Sequence, residues 1–139
     1  MPPIADLLWS TIRHWIDDPG SAVEYAEQVD ESIAVRMRQE ARDASTVWWA
    51  PGQRSLRAEV YVLPAPQHNA EACYRLVLLR NRSTFRCWYG LDQDGAIVLR
   101  ARIPNEEVSR DVLDQVLGEL YDQVESTFTP LVRLAFDRD

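Results

Sequence analysis

The chain has 139 residues, 46% hydrophobic and 27% charged, a size and mix that suit one globular domain and exclude disordered and collagen-like classes. Its formal net charge is −7, so general electrostatic attraction to nucleic acid or to an anionic membrane is unfavourable over the surface as a whole. All 15 basic residues are arginine, which removes Schiff-base lysines, phosphate-loop lysines and the kinase strand lysine together.

Ile4, Leu7, Leu8, Ile12, Trp15 and Ile16 recur at spacings of three and four, which predicts a helix over residues 3–17 stopped by "DDPG". The same N-terminal stretch carries an acid where a secretory signal needs basic residues. No run approaches the roughly 18 apolar residues of a membrane span, so the expected location is cytoplasmic and no membrane partner is expected. Between Ser21 and Val29 the alternation of Val23, Tyr25 and Val29 suits a strand, whereas the Ala and Glu content suits a helix. We read a strand turning at "DES" and leave residues 18–32 open.

From Ile33 the alternation is clear. Ile33, Val35 and Met37 face one way, and Arg36, Arg38 and Glu40 the other. A hairpin at "ARDAS" leads into "TVWWAPG", and "PGQR" turns into "LRAEVYVLP", with Leu56, Ala58, Val60 and Val62 inward and Arg57, Glu59 and Tyr61 outward. Because adjacent strand residues point to opposite faces, Trp49 shares the inner face with Val47, and Trp48 shares the outer face with Thr46.

Pro64 and Pro66 end that run, and "HNAEACYRLVLLR" sets Ala70, Cys73, Tyr74, Val77 and Leu78 on one helical face. "TFRCWYGLDQDGAIVLRARI" predicts a hairpin with a tight primed turn at Asp94 and Gly95. Phe85, Cys87, Tyr89 and Leu91 would lie on its buried face with Ile97, Leu99, Ala101 and Ile103, leaving Arg86, Trp88, Arg100 and Arg102 outside. A final helix follows "PNEEVS", with Asn105 or Ser109 as its cap. Leu113, Val116, Leu117, Leu120, Tyr121, Val124 and Phe128 form its inward stripe, which Thr129 and Pro130 interrupt. For residues 130–139 helix and extended chain both stay open. The order α-β-β-β-α-β-β-α describes an α+β domain over 1–139, an antiparallel sheet of about five strands with helices on one face.

The stretches "VRMRQEARDASTVWWAPGQRSLRAEVYVLP", "APQHNAEACYRLVLLRN" and "DGAIVLRARIPNEEVSRDVLDQVLGELYDQVESTFTPLVRLAF" together resemble the YbjN family over about residues 33–136. That family shares the fold of type III secretion chaperones, also called Tir chaperone-like. The resemblance implies a helix-flanked antiparallel sheet, homodimeric, that binds an extended protein segment or acts as a regulator without catalysis. It supplies no catalytic residues. Trp49 stands where family members often carry Phe or Tyr, and the stretch before Ile33 lies outside the resemblance.

The outward face of the sheet is the candidate partner-binding surface: Trp48, Trp88, Arg36, Arg38, Arg57, Arg86, Arg100, Arg102 and Tyr61, interleaved with Glu40 and Glu59. Guanidinium forks bind carboxylates bidentately and stack on aromatic rings, which suits an acidic or extended protein segment. The plainer reading is a solvated face with cross-strand ion pairs and arginine stems covering Trp88. Nucleic acid is disfavoured there by the surrounding acids.

No catalytic residue, metal ligand set or cofactor site is expected. His14 and His68 are the two histidines, and neither has a second ligand at a zinc spacing. Cys73 and Cys87 read as free, buried thiols, with Cys87 pointing inward. Asp111, Asp114, Asp122 and Glu125 read as a solvated helix face, and "DQDG" lacks the later ligands of a calcium loop. Two alternatives to a protein-binding module stand beside it. One is a small-molecule domain with a pocket between the sheet and the first helix, and the other is a purely structural dimerisation domain.

Overall fold

In the computed structural model, residues 3–137 are described. Met1 and Pro2, part of the stretch read for a targeting signal, and Arg138 and Asp139, the end of the segment left open above, lie outside them. The elements are α1 (Ile4–Asp17), β1 (Val23–Val29), β2 (Ser32–Arg38), β3 (Ala44–Pro51), β4 (Ser55–Leu63), α2 (Ala70–Arg80), β5 (Cys87–Leu91), β6 (Ile97–Pro104), a 3-10 turn (Asn105–Glu107) and α3 (Arg110–Phe136). The strands form one six-stranded sheet in the order β1-β2-β3-β4-β6-β5, every neighbouring pair antiparallel.

The sheet therefore has six strands where about five were expected. The additional one is β1, which the mixed pattern of residues 18–32 left open. It is an edge strand that buries Val23 and exposes most of its other residues, so its alternation is weak and pairing with β2 decides its conformation. Val29 pairs with Ser32 around Asp30 and Glu31, and Asp30 adopts φ 54°, the left-handed conformation a two-residue turn requires.

The inward faces match the alternation of the sequence. Val35, Met37, Val47, Trp49, Leu56, Val60, Ile97, Leu99 and Ile103 are fully buried against Leu8 and Ile12 of α1 and Leu113, Val116, Leu120 and Val124 of α3. Trp15 of α1 lies 6.1 Å from Trp49, ring centre to ring centre. All three helices contact the sheet or one another on this side, so among the described residues no helix covers the opposite face.

Several local expectations change. Leu78 is 64% exposed because the inward face of the short α2 is completed by Cys73 and Val77. Phe85 is 79% exposed and precedes β5, because the Phe85, Arg86 and Cys87 N–H groups donate to the Glu119 carboxylate of α3. Leu91, expected on the buried face, is 44% exposed at the end of β5. The β5–β6 turn is not a two-residue turn at Asp94 and Gly95. The Asp92 N–H donates to the Ala96 carbonyl and the Gly95 N–H to the Asp92 carbonyl, with Gly95 at φ 83°. This is the three-residue loop in which glycine takes the left-handed position. The Asp92 carboxylate, accepting from the Asp94 and Ala96 N–H groups, holds it.

Ser109 is the cap of α3, its hydroxyl accepting from the Val112 N–H, whereas Asn105 donates its amide to the Gly52 and Gln53 carbonyls of the β3–β4 turn. Thr129 and Pro130 do not interrupt α3, which continues as helix to Phe136. Pro130 removes one N–H that would have reached the Ser126 carbonyl. The carbonyls at the far end find partners outside the helix. Gln67 and His68 N–H groups donate to the Ala135 carbonyl, and the Asn69 amide to the Leu134 carbonyl.

Two of the four acids read as a solvated helix face are tethers instead. Asp114 accepts from the Trp15 indole at 2.6 Å, tying α3 to α1. Glu125 accepts from the Gln39 side chain and from the Glu40 and Ala41 N–H groups, tying α3 to the β2–β3 turn.

Candidate functional site

On the uncovered face the register aligns outward side chains into rows. Ala34 is opposite Trp48, Trp48 opposite Glu59, Glu59 opposite Arg100 and Arg100 opposite Trp88, so one row crosses β2, β3, β4, β6 and β5. The next row sets Ala50 opposite Arg57 and Arg57 opposite Arg102. Trp48 is 41% and Trp88 40% exposed, and between them lies a shallow groove of about 550 Å³ bounded by Ala50, Arg57, Glu59, Arg100 and Arg102. Its floor is the backbone of β4 and β6, whose core-facing residues Ala58 and Ala101 are small.

Arg100 is held in place. Its Nε donates to Glu59 Oε2 at 2.9 Å, and its Nη2 reaches the Leu91 carbonyl at 3.4 Å. A Cβ at Gly90 would stand 3.1 Å from Arg100 Nη1, so glycine there leaves room for the guanidinium to lie across β5. An exposed pair of this kind contributes on the order of 1 kcal/mol or less, so its effect is orientation more than stability.

The structure thus brings together five of the nine predicted site residues, Trp48, Trp88, Arg57, Arg100 and Arg102. Tyr61 and Arg36 flank them. Tyr61 is exposed opposite Val98, and Arg36 is paired at 3.1 Å with Glu24 of β1. Two of the nine are drawn away. Arg38 donates to the Ser21 carbonyl just before β1, and Arg86 donates its Nε to Gln115 of α3 and stacks over Phe85. Arg86 precedes β5, where no ladder fixes its direction, whereas Arg38 is the last residue of β2, still opposite Ala44 but beside the chain that enters β1.

The thiols and histidines take no part. Cys73 and Cys87 are buried, and burial followed by the Glu119 carboxylate beside it pushes the Cys87 thiol far up, away from the reactive thiolate. Tyr89, pushed up to about 12 chiefly by burial, shares its hydroxyl with Thr127 at 2.7 Å inside the core. His14 and His68 are exposed. Among the described residues no group of three or more His, Cys, Asp or Glu could hold a metal ion, and no helix is long and apolar enough to cross a membrane.

On β5 the Asn81 side chain accepts from the Tyr89 N–H at 2.7 Å and donates to the Tyr89 carbonyl at 3.1 Å, occupying the groups an added strand would use. Sequence reading missed Asn81, whose polarity just past α2 looks like an ordinary helix end. Asn81→Ala is expected to cost about 1–2 kcal/mol. It should also promote association through the opened edge, visible by light scattering at raised concentration; an unchanged midpoint and mass would contradict this role.

The fold just described is that of a known family, and the decisive comparison is a match of the YbjN family, described as "Putative bacterial sensory transduction regulator", over residues 10–132. The chain belongs to the YbjN family. The match begins well before Ile33, so the second half of α1 and all of β1 are part of the family's domain and not an addition to it.

Relatives include an uncharacterized protein of Mycobacterium leprae, 36% identical over 104 residues, which are 75% of this chain and 56% of that protein. Another, of Mycobacterium tuberculosis, is 38% identical over 85 residues, 61% of this chain and 46% of that protein. The chain thus spans about half the length of the curated relatives it matches. Among solved structures it is similar to a chain of the HopA1–SchA chaperone–effector complex (TM-score 0.61, 17% identity, 88% of this chain and 90% of that one). It is also similar to the Yersinia pestis type III secretion chaperone SycH in complex with a fragment of YscM2 (TM-score 0.57, 19% identity, 86% and 97% covered). At these identities the likeness shows the fold, which is that of the secretion chaperones.

Proposed function

We propose that this chain is a non-enzymatic, cytoplasmic protein-binding domain, chaperone-like or regulatory, that holds an extended segment of a partner protein on the uncovered face of its sheet. The observation that carries the reading is the groove between Trp48 and Trp88, two large apolar side chains left 41% and 40% exposed on a face no helix covers. Exposed indoles flanked by arginines are the side chains that dominate protein interfaces. The similar solved chains come from complexes of chaperones with protein partners, which supports the same reading.

The test is selection of random short peptides on the immobilised chain. Peptides that bind the wild type and not a Trp48→Ala/Trp88→Ala variant are the expected result. Recovery of no binders, or of binders indifferent to both tryptophans, overturns the reading.

A second reading, self-association, is favoured by α2. Leu78 and Leu79 are 64% and 50% exposed beside Tyr74 and Arg75. With Glu71 at one end of α2 and Arg82 just past the other, two antiparallel copies of the helix would set opposite charges together. The wild type is expected to run as a dimer in size-exclusion chromatography with light scattering and Leu79→Glu as a monomer; a wild-type monomer rules the dimer out.

A further inference from the structure

We propose that the groove recognises a carboxylate, an Asp or Glu side chain of the extended segment, held between Arg57 and Arg102. The proposal rests on the reading of the outer face as a segment-binding surface and specifies its partner's chemistry.

Arg57 and Arg102 are directly opposite each other across β4 and β6. Side chains so placed have their Cβ atoms about 5 Å apart, and like charges in that position destabilise a sheet. No ion pair among the described residues offsets the repulsion. Among the described residues the ion pairs are Arg36 with Glu24 and Arg100 with Glu59, so the one acid bounding the groove is already engaged by a third arginine. On the β3 side the residue opposite Arg57 is Ala50, and on the β5 side the ladder begins at Cys87, with Arg86 drawn off to α3. A chain of net charge −7 thus concentrates uncompensated positive charge at one place on its uncovered face.

The geometry selects the anion. The backbone N–H groups of β4 and β6 lie in their ladder, which leaves side-chain guanidinium forks as the donors. A fork presents parallel N–H groups at the spacing of two carboxylate oxygens. In an extended segment every second side chain faces the sheet, so residues two positions from the acid fall toward the flanking indoles of Trp48 and Trp88. Acidic residues alternating with apolar ones are the pattern that fits.

Peptides selected on the wild type are expected to carry Asp or Glu at one shared position. An Arg57→Gln/Arg102→Gln variant should bind such a peptide about tenfold more weakly or worse, while the peptide still depends on Trp48. Arg57→Glu, which places an acid opposite Arg102, should raise the thermal midpoint of the free protein and abolish binding of the acidic peptide. Selected peptides that need Trp48 but show no acidic preference overturn the carboxylate and leave segment binding standing. Binding indifferent to both tryptophans overturns segment binding itself. Tighter binding of a phosphoserine peptide than of its glutamate counterpart replaces the carboxylate with a phosphate. An Arg57→Glu variant that keeps the acidic peptide and gains no stability also overturns the proposal, and the neutral double variant decides the matter should Arg57→Glu not fold.

Discussion

Replacing Trp49 with alanine is expected to lower the unfolding free energy by about 3–5 kcal/mol, whereas the same change at its neighbour Trp48 should cost about 1 kcal/mol or less. Trp49 is completely buried, set between Ile33 of β2 and Ala58 of β4 and packed at 6.1 Å against Trp15 of α1. Its removal leaves a cavity at the point where α1 meets the sheet, and a domain with roughly 5–15 kcal/mol in all tolerates that poorly. Trp48, on the opposite face, loses surface that water already reaches in part. The Trp49 indole N–H is buried without a hydrogen-bond partner, so Trp49→Phe discards an unsatisfied donor and should cost clearly less than Trp49→Ala. Denaturant midpoints of the three variants check the order. Equal losses at Trp48 and Trp49 would show that the faces are assigned wrongly.

Glu119→Ala is expected to lower the unfolding free energy by about 3 kcal/mol. The carboxylate accepts from three consecutive N–H groups, those of Phe85 at 2.9 Å and of Arg86 and Cys87 at 2.8 Å, and thereby joins the start of β5 to α3. Burial by itself would raise its pKa, but the Cys87 side chain and the three backbone donors outweigh burial and hold it below the ordinary glutamate range. A group whose folded pKa is depressed stabilises the fold above its unfolded pKa and ceases to do so as pH falls through the folded value. Stability should therefore be flat at neutral pH and fall below about pH 4.5. Glu125, also held low by the backbone N–H groups of Glu40 and Ala41 and the Gln39 side chain against its burial, adds to the same acid slope. Melting temperatures of wild type and Glu119→Gln from pH 7 down to pH 3 give the check. The variant should lose part of the acid slope, and an identical slope would remove Glu119 from this role.

Trp48 and Trp49 show why the faces of β3 were readable in advance. Side chains alternate along a strand, and Val47 beside Trp49 points the apolar pair inward. Alternation failed at Phe85, and helical spacing failed at Leu78. The strand containing Cys87 starts two residues after Phe85, where Glu119 takes the N–H groups out of the ladder, and α2 is too short and too evenly apolar for a stripe to single out its buried side. Asp114 and Glu125 looked like solvent-facing acids because nothing local distinguishes a carboxylate in water from one that meets an indole or a turn brought from far along the chain. Arg38 and Arg86 had the right parity for the outer face, but Arg86 lies outside the ladder and Arg38, at the last rung of β2, turns to the Ser21 carbonyl.

What the sequence by itself determined is the set of periodicities: the helical stripes of α1 and α3, the alternating strands from β2 to β6, the buried Trp49 and the exposed Trp48. These follow from local geometry, since a helix repeats every 3.6 residues and a strand every two. The tertiary structure decided the rest. It made β1 a strand by pairing it with β2, carried α3 through Pro130 by supplying partners for its last carbonyls, and set Arg57 against Arg102 by seating β6 between β4 and β5. Contacts between segments 40 or more residues apart leave no periodic trace in either segment, so the groove between the two tryptophans exists only once the sheet is ordered.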